Sequence, residues 1–197
     1  MDAATLYRVL MAGKDRHSDF ARHLLAGPLA LAASEGEDGL DRRLGLSAND
    51  LTCLLLDHFP HASAHLARFF DHGGGGDTPE SIEEPDLRGL LLDHCSLPGP
   101  QGRWFAHIVA RRSLRPNHLW QDLGLVDRSD LSRLMATAFG PLARANSRDM
   151  KWKKFFYREL CQREGVLICK SPVCAACSDV AVCFGTEDGV SLLARIA

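Results

Sequence analysis

The sequence predicts an all-α protein. Leucine occurs 30 times and alanine 23 times among its 197 residues, whereas isoleucine and valine together occur 12 times and threonine 5 times. Leucine and alanine favour helices, and the scarce β-branched residues are those that favour sheets. Proline and glycine recur between the apolar segments, as expected at helix boundaries. We therefore expect a helical bundle.

The helix boundaries can be assigned from capping residues. Ser18, Ser47, Pro85 and Asp127 each precede an apolar segment and are typical of helix N-termini. Stop signals alternate with these starts, because proline and glycine disfavour continuation of a helix. The predicted stops are Gly27-Pro28, Pro60, Pro98-Gly-Pro100 and Gly140-Pro141.

Two stretches of the chain resemble each other. Leu44-Gly-Leu46 and the helix over residues 50–60 match Leu123-Gly-Leu125 and the helix over residues 130–140, and a Phe-Ala pair lies upstream of each. A duplicated helical unit would explain the match. Leucine-rich amphipathic helices also resemble one another by chance, because few patterns bury an apolar stripe. Both explanations remain open at this point.

The chain divides into two predicted parts. Residues 1–147 form the bundle and include a flexible acidic loop, residues 73–85, to which we assign no chemistry. Residues 148–197 form a basic helix followed by a cysteine-rich, cluster-binding loop. From Arg148 to Lys170 there are seven Lys or Arg residues against three acidic ones, although the whole chain has a net charge of −2. We expect Trp152 and its aromatic neighbours to dock this helix on the bundle.

Composition excludes several classes of function. The 25 acidic residues outnumber the 23 basic ones, which argues against nucleic acid as a partner. No apolar segment approaches the roughly 18 residues of a membrane span, and the N-terminus does not resemble a signal peptide. We expect a cytoplasmic protein with reduced cysteines. No nucleophile motif is present, so no enzymatic activity is expected.

Four of the seven cysteines are close together in sequence. Cys169, Cys174, Cys177 and Cys183 have the spacing C-x4-C-x2-C-x5-C. Thiolates presented by so short a segment suit an iron–sulfur cluster or zinc. Zinc sites built from four cysteines usually contain two separated C-x2-C pairs, whereas this segment has one pair with a lone cysteine on each side. The spacing favours iron–sulfur and leaves zinc open.

The other three cysteines lie on apolar helical segments. Cys53, Cys95 and Cys161 are expected to be small buried residues of the core. The neighbours Asp57 and His58 could suggest an acid–base pair. We assign them no catalytic role, because adjacent helical residues point about 100 degrees apart.

Residues 149–161, the four clustered cysteines and residues 115–125 together closely resemble the nitrogen-fixation family NifQ. The resemblance implies a carrier of a molybdenum–iron–sulfur cluster that donates molybdenum for synthesis of the nitrogenase iron–molybdenum cofactor. It implies that the four clustered cysteines are the cluster ligands. It also implies molybdate or sulfide-bound molybdenum as the ligand taken up, and nitrogenase cofactor-assembly proteins as the acceptors.

Two histidines lie within the region of resemblance and are candidate molybdenum ligands. They are His107 and His118, and packing in the helical core is the alternative role for each. Two other functions stay open beside the carrier. One is a structural zinc module for protein contacts, and the other is an iron–sulfur electron-transfer protein.

Overall fold

The computed structural model describes residues 2–13, 17–36, 39–66, 69, 75–165, 174 and 177–195, and every regular element in these ranges is a helix. The all-α prediction is confirmed. The helices are α1 (Ala3–Ala12), α2 (Asp19–Ser34), α3 (Leu40–Leu44), α4 (Ala48–His58), α5 (Ser63–Leu66), α6 (Glu84–Asp93), α7 (Pro100–Ser113), α8 (Leu119–Asp122), α9 (Arg128–Ala138), α10 (Gly140–Ala145), α11 (Trp152–Arg163), α12 (Val180–Phe184) and α13 (Leu192–Arg195).

Three of the four predicted helix starts are confirmed by capping hydrogen bonds, and the fourth helix, α6, begins at Glu84 with Pro85 in its first turn. The Ser18 side chain accepts a bond from the Ala21 amide, and the Ser47 side chain accepts one from the Asp50 amide. Asp127 accepts from the two amides that follow Arg128. These side chains satisfy backbone donors that have no partner within the helix.

One predicted stop is wrong. Helix α2 continues through Gly27 and Pro28 to Ser34. A proline in a helix interior removes one backbone hydrogen bond and costs about 3 kcal/mol. The central twelve residues of α2, 22–33, are all buried, and this burial outweighs the local cost. Gly27 is also needed for close packing, because a Cβ there would lie 2.6 Å from the Leu123 carbonyl oxygen.

The two resembling stretches share their backbone geometry. Gly45 and Gly124 both follow a short helix with positive φ, 68° and 64°. The amide of the next residue then bonds back five positions, Leu46 to Asp41 at 3.0 Å and Leu125 to Trp120 at 2.9 Å. This is the Schellman pattern in both places.

The equivalence continues through the following helices. Both α4 and α9 have 11 residues. Each ends at a phenylalanine of nearly the same conformation, Phe59 with φ −140° and ψ 50° and Phe139 with φ −134° and ψ 50°. Few chance resemblances between helices would reproduce such irregular end geometry. The structure therefore favours the duplicated unit, with α2–α5 as its first copy and α7–α10 as its second.

Reciprocal contacts join the two copies. Asp50, at the start of α4, accepts hydrogen bonds from Arg103 and Trp104 on α7 of the second copy. Its counterpart Asp130, at the start of α9, bonds His23 on α2 of the first copy at 3.1 Å. Each copy therefore satisfies polar groups of the other.

Two buried arginines hold the described part of the acidic loop. The Glu84 carboxylate is fully buried and accepts hydrogen bonds from Arg88 and from Arg111. Arg88 also donates to the Asp77 carbonyl at 2.6 Å, and Arg111 donates to the Thr78 carbonyl at 2.7 Å. Residues 77–84 are thus tied to α6 and α7.

Helix α11 shares the hydrophobic core of the bundle. Trp152, Phe155 and Phe156 are buried in the same cluster as the leucines of both copies. The docking expected for this helix is therefore present, and the predicted division after residue 147 stays a prediction. No described helix combines the length and apolar character that crossing a membrane requires.

Candidate metal centre

The structure describes three of the four clustered cysteines. Cys174, Cys177 and Cys183 are half-buried, and none of them forms a disulfide. Cys169 lies outside the described residues. The Cys177 amide donates to the Cys174 carbonyl at 3.1 Å, which closes a turn between these two residues. Helix α12 then carries Cys183.

The three described thiols are near in sequence but not gathered at one point. Among the described residues, they do not form a group whose ligand atoms all lie within 4.8 Å of one another. The assignment of the four cysteines as cluster ligands therefore stays a prediction.

The end of the cysteine segment, as we call residues 169–183, is attached to the start of α11. The Lys151 amide donates to the Cys183 carbonyl at 2.8 Å. The guanidinium of Arg148 lies over the Phe184 ring, 4.9 Å from its centroid, as in a cation–π contact. Cys183 is therefore fixed next to the basic residues that precede and begin α11.

A buried glutamate makes a second attachment. The Glu187 side chain is 4% exposed, forms an ion pair with Arg128, and lies 3.2 Å from Nδ1 of His118. Arg128 also donates to Oδ1 of Asp149 at 2.7 Å. Burial disfavours the charge on Arg128, but the hydrogen bonds and charges of Asp149 and Glu187 outweigh it and raise the pKa of its guanidinium. Residues 183–187 are thus held by α9 and by the start of α8.

His118 therefore lies beside the cysteine segment. It is the residue before α8, and its ring is about one-third exposed. The residues on either side of His118 are also joined to α11. Lys153 on α11 donates from Nζ to the Asn117 carbonyl at 2.7 Å and to Oδ2 of Asp122 at 2.6 Å. Burial lowers the pKa of Lys153, although Asp122 opposes this shift.

His107 has a different environment. Its Nδ1 lies 2.8 Å from the Gly45 carbonyl oxygen, where α7 packs against the turn after α3. Burial lowers the pKa of this imidazole, and the bond to Gly45 partly opposes the shift. This contact corresponds to packing in the helical core, the alternative role given for His107 above. A metal-ligating role for His107 or for His118 stays a prediction.

The prediction for the remaining cysteines is wrong for Cys53. Its side chain is exposed, whereas Cys95 and Cys161 are half-buried. Helix α4 turns Leu51, Leu54 and Leu55 towards the core. Cys53 lies between these positions and so faces outwards, where it lines an open cavity of about 710 Å³.

Sequence reasoning also missed a second group of ligand-type residues. His17, Asp57 and His58 offer ligand atoms that all lie within 4.8 Å of one another. The argument that Asp57 and His58 point apart is wrong here, since His58 Nε2 lies 3.4 Å from Asp57 Oδ2. Both residues are in the last turn of α4, and the ends of their side chains approach each other. No local signal connects His17 to them, because it is 40 residues away in sequence.

Comparison with known proteins identifies the family. The NifQ family profile matches residues 24–185, which include all four clustered cysteines. A "Protein NifQ homolog" of Sinorhizobium fredii (strain NBRC 101917 / NGR234) is 41% identical over 180 residues, covering 90% of this chain and 77% of the relative. "Protein NifQ" of Azotobacter vinelandii is 34% identical, covering 95% of this chain and 100% of the relative. "Protein NifQ" of Rhodobacter capsulatus is 39% identical, covering 75% and 79%. No solved structure shows a significant match. The match over most of the chain shows that this protein belongs to the NifQ family of nitrogen-fixation proteins.

Proposed function

We propose that this chain is a cytoplasmic carrier of a molybdenum–iron–sulfur cluster, without enzymatic activity of its own. It would donate molybdenum to nitrogenase cofactor-assembly proteins during synthesis of the iron–molybdenum cofactor. The observation that carries the proposal is the family match, which runs through the whole segment with C-x4-C-x2-C-x5-C spacing.

The donor chemistry of the segment fits an iron–sulfur cluster. The three described thiols form no disulfide and are partly accessible, as suits ligands of a cluster. Thiolate sulfur is the ligand that holds iron in such clusters, and cluster sulfides are suitable ligands for molybdenum. Cys169, Cys174, Cys177 and Cys183 would hold the cluster, and molybdenum would be the transferred cargo.

The surroundings of the segment suit an anionic cargo. Arg148 and Lys154 are exposed on either side of the Lys151 amide that holds Cys183. Positive side chains at this position favour the approach of molybdate or of a negatively charged sulfide-bound molybdenum. Of the two candidate histidines, His118 is the one held near the segment, by Glu187, and it would contribute the further ligand.

Metal analysis of the full chain purified without oxygen tests the proposal. We expect iron and molybdenum together, with brown colour. One zinc per chain with sulfur neighbours by X-ray absorption, in a colourless protein, would show a structural zinc module. Iron without molybdenum, in protein made by molybdenum-supplied cells, would show an electron-transfer protein. Either result would overturn the carrier function.

Cysteine variants test the ligand assignment. We expect Cys177→Ala to lose bound iron and visible absorption, because a thiolate ligand is removed. Cys53→Ala is the matched control, since Cys53 is an exposed thiol outside the segment, and it should keep both. Cys177→Ala protein that retained its iron would disprove the assignment. For His118→Gln, we expect a lower ratio of molybdenum to iron, and an unchanged ratio would exclude it as a molybdenum ligand.

A further inference from the structure

His17, Asp57 and His58 form a compact group outside the cysteine segment. His17 lies just before the capping residue of α2, and the other two end α4. Asp57 Oδ2 is at the centre of the group, 3.3 Å from His17 Nε2 and 3.4 Å from His58 Nε2. The two imidazole rings are stacked, with centroids 3.9 Å apart and planes inclined by 25°. Both Nε2 atoms therefore lie near the same carboxylate oxygen.

These distances match the edges of a metal coordination polyhedron. Zinc binds imidazole nitrogen and carboxylate oxygen at about 2.0–2.2 Å in tetrahedral geometry. Two ligands of a tetrahedral ion at those bond lengths are therefore about 3.3–3.5 Å apart. The observed separations of 3.3 and 3.4 Å fall in this range.

The surroundings support three protein ligands and one open position. His58 is 2% exposed, and its Nε2 lies 3.1 Å from Nε2 of Gln101 on α7, a hydrogen bond that an ion bound at Nε2 would displace. His17 and Asp57 line the open cavity of about 710 Å³ that Cys53 also lines. An ion bound by the group would thus have one side against the protein and the other towards solvent.

We propose that His17, Asp57 and His58 bind a divalent first-row transition-metal ion of the zinc type, through the two Nε2 atoms and Oδ2 of Asp57. Two imidazoles and a carboxylate are typical ligands for Zn²⁺, Co²⁺ and Ni²⁺, whereas thiolate-rich sites suit iron–sulfur clusters. The site is separate from the cysteine segment. Its ion would join His17, just before the cap of α2, to the end of α4, and so connect two helices of the first copy.

Zinc titration of the full-length chain tests the site. The background is the variant Cys174→Ser/Cys177→Ser, in which the competing thiolate site is weakened. We expect one equivalent of Zn²⁺ by isothermal titration calorimetry, with an increase in thermal stability, because the ion binds the folded state. In the unmodified chain, the cysteine site is first loaded with iron and zinc is then added. X-ray absorption at the zinc edge should show that the bound Zn²⁺ has nitrogen and oxygen neighbours.

Variants of the two accessible ligands make the test specific. Loss of an outer partner of a metal ligand already weakens binding by about 10–100-fold, so loss of a ligand should weaken it by at least about 100-fold. We expect this loss in His17→Gln and in Asp57→Asn. The control His65→Gln changes an exposed histidine outside the group and should bind zinc as the background does. Circular dichroism without zinc confirms that each variant is folded. Unchanged zinc affinity in folded His17→Gln and Asp57→Asn would overturn the proposal.

Discussion

Removing the Glu84 carboxylate should destabilise the protein more than any exposed charge change. Glu84 accepts hydrogen bonds from Arg111 Nε at 2.9 and 3.0 Å, from Arg88 Nε at 3.1 Å and from the Glu80 amide at 2.8 Å. The side chains of Glu84 and Arg111 are both 0% exposed. Breaking a buried pair by deleting one partner costs about 3–5 kcal/mol, because an uncompensated charge remains. Glu84→Ala removes the carboxylate partner of Arg88 and leaves Arg111 with only the partly exposed Glu80 at 3.3 Å, so we expect a loss in this range.

Urea unfolding followed by circular dichroism measures this loss. With an m-value of about 3 kcal/mol/M, the midpoint should fall by about 1–1.7 M at unchanged m. Asp93→Ala is the control, because Asp93 pairs with Arg163 in an exposed ion pair of 2.9 Å. Exposed pairs contribute about 0.2–1 kcal/mol, so this midpoint should fall by less than about 0.4 M. A loss below about 1 kcal/mol in Glu84→Ala would refute the view that this carboxylate neutralises the buried arginines.

Three further predictions concern other positions. Gly27→Ala should lower the free energy of unfolding by about 1–3 kcal/mol, since its Cβ would meet the Leu123 carbonyl at 2.6 Å. Gly89→Ala, with no atom within 4 Å of its Cβ, should instead raise stability by up to about 1 kcal/mol, and equal melting temperatures for the two variants would contradict the packing argument. Burial lowers the pKa of His107 in the folded protein, so on acidification the unfolded chain binds a proton at this residue before the folded chain does. The contribution of neutral His107 to the free energy of unfolding is therefore complete above pH 6.5 and decreases as the pH falls below that value. His107→Gln should therefore show a smaller loss of stability between pH 7.5 and 5.5 by urea unfolding, and an equal loss would exclude this group. Glu187→Ala should expose the cysteine segment to limited proteolysis while the helical circular dichroism is retained, and an unchanged cleavage rate would show that this anchor does not hold the segment.

Local chemistry predicted much of the fold. The caps Ser18, Ser47 and Asp127 were identified correctly, because a capping hydrogen bond depends on residues within one turn. The predicted stop at Pro28 was wrong because its outcome depends on residues far from it in sequence. A helix continues through a proline when the residues on either side of the proline bury enough apolar surface to offset the lost hydrogen bond. That burial is provided by segments that are distant in sequence.

The candidate sites show the same limit. Spacing was sufficient to single out the cysteine segment, because its ligands are neighbours in the chain. The group formed by His17, Asp57 and His58 could not be predicted, since it depends on where the segment before α2 meets the end of α4. The outward position of Cys53 likewise follows from which face of α4 the core covers.

The duplicated architecture supplies an internal reference for separating folding from function. Asp50 and Asp130 occupy equivalent positions, and each bonds the first helix of the other copy, which is what a shared folding requirement would preserve. The positions equivalent to Asp57 and His58 are Thr137 and Ala138, which have no side chain able to bind a metal strongly. The second copy folds into the same helix without them. The carboxylate and imidazole that end α4 are therefore not requirements of the helical unit, and a specific role of the first copy is the simplest reason for their presence.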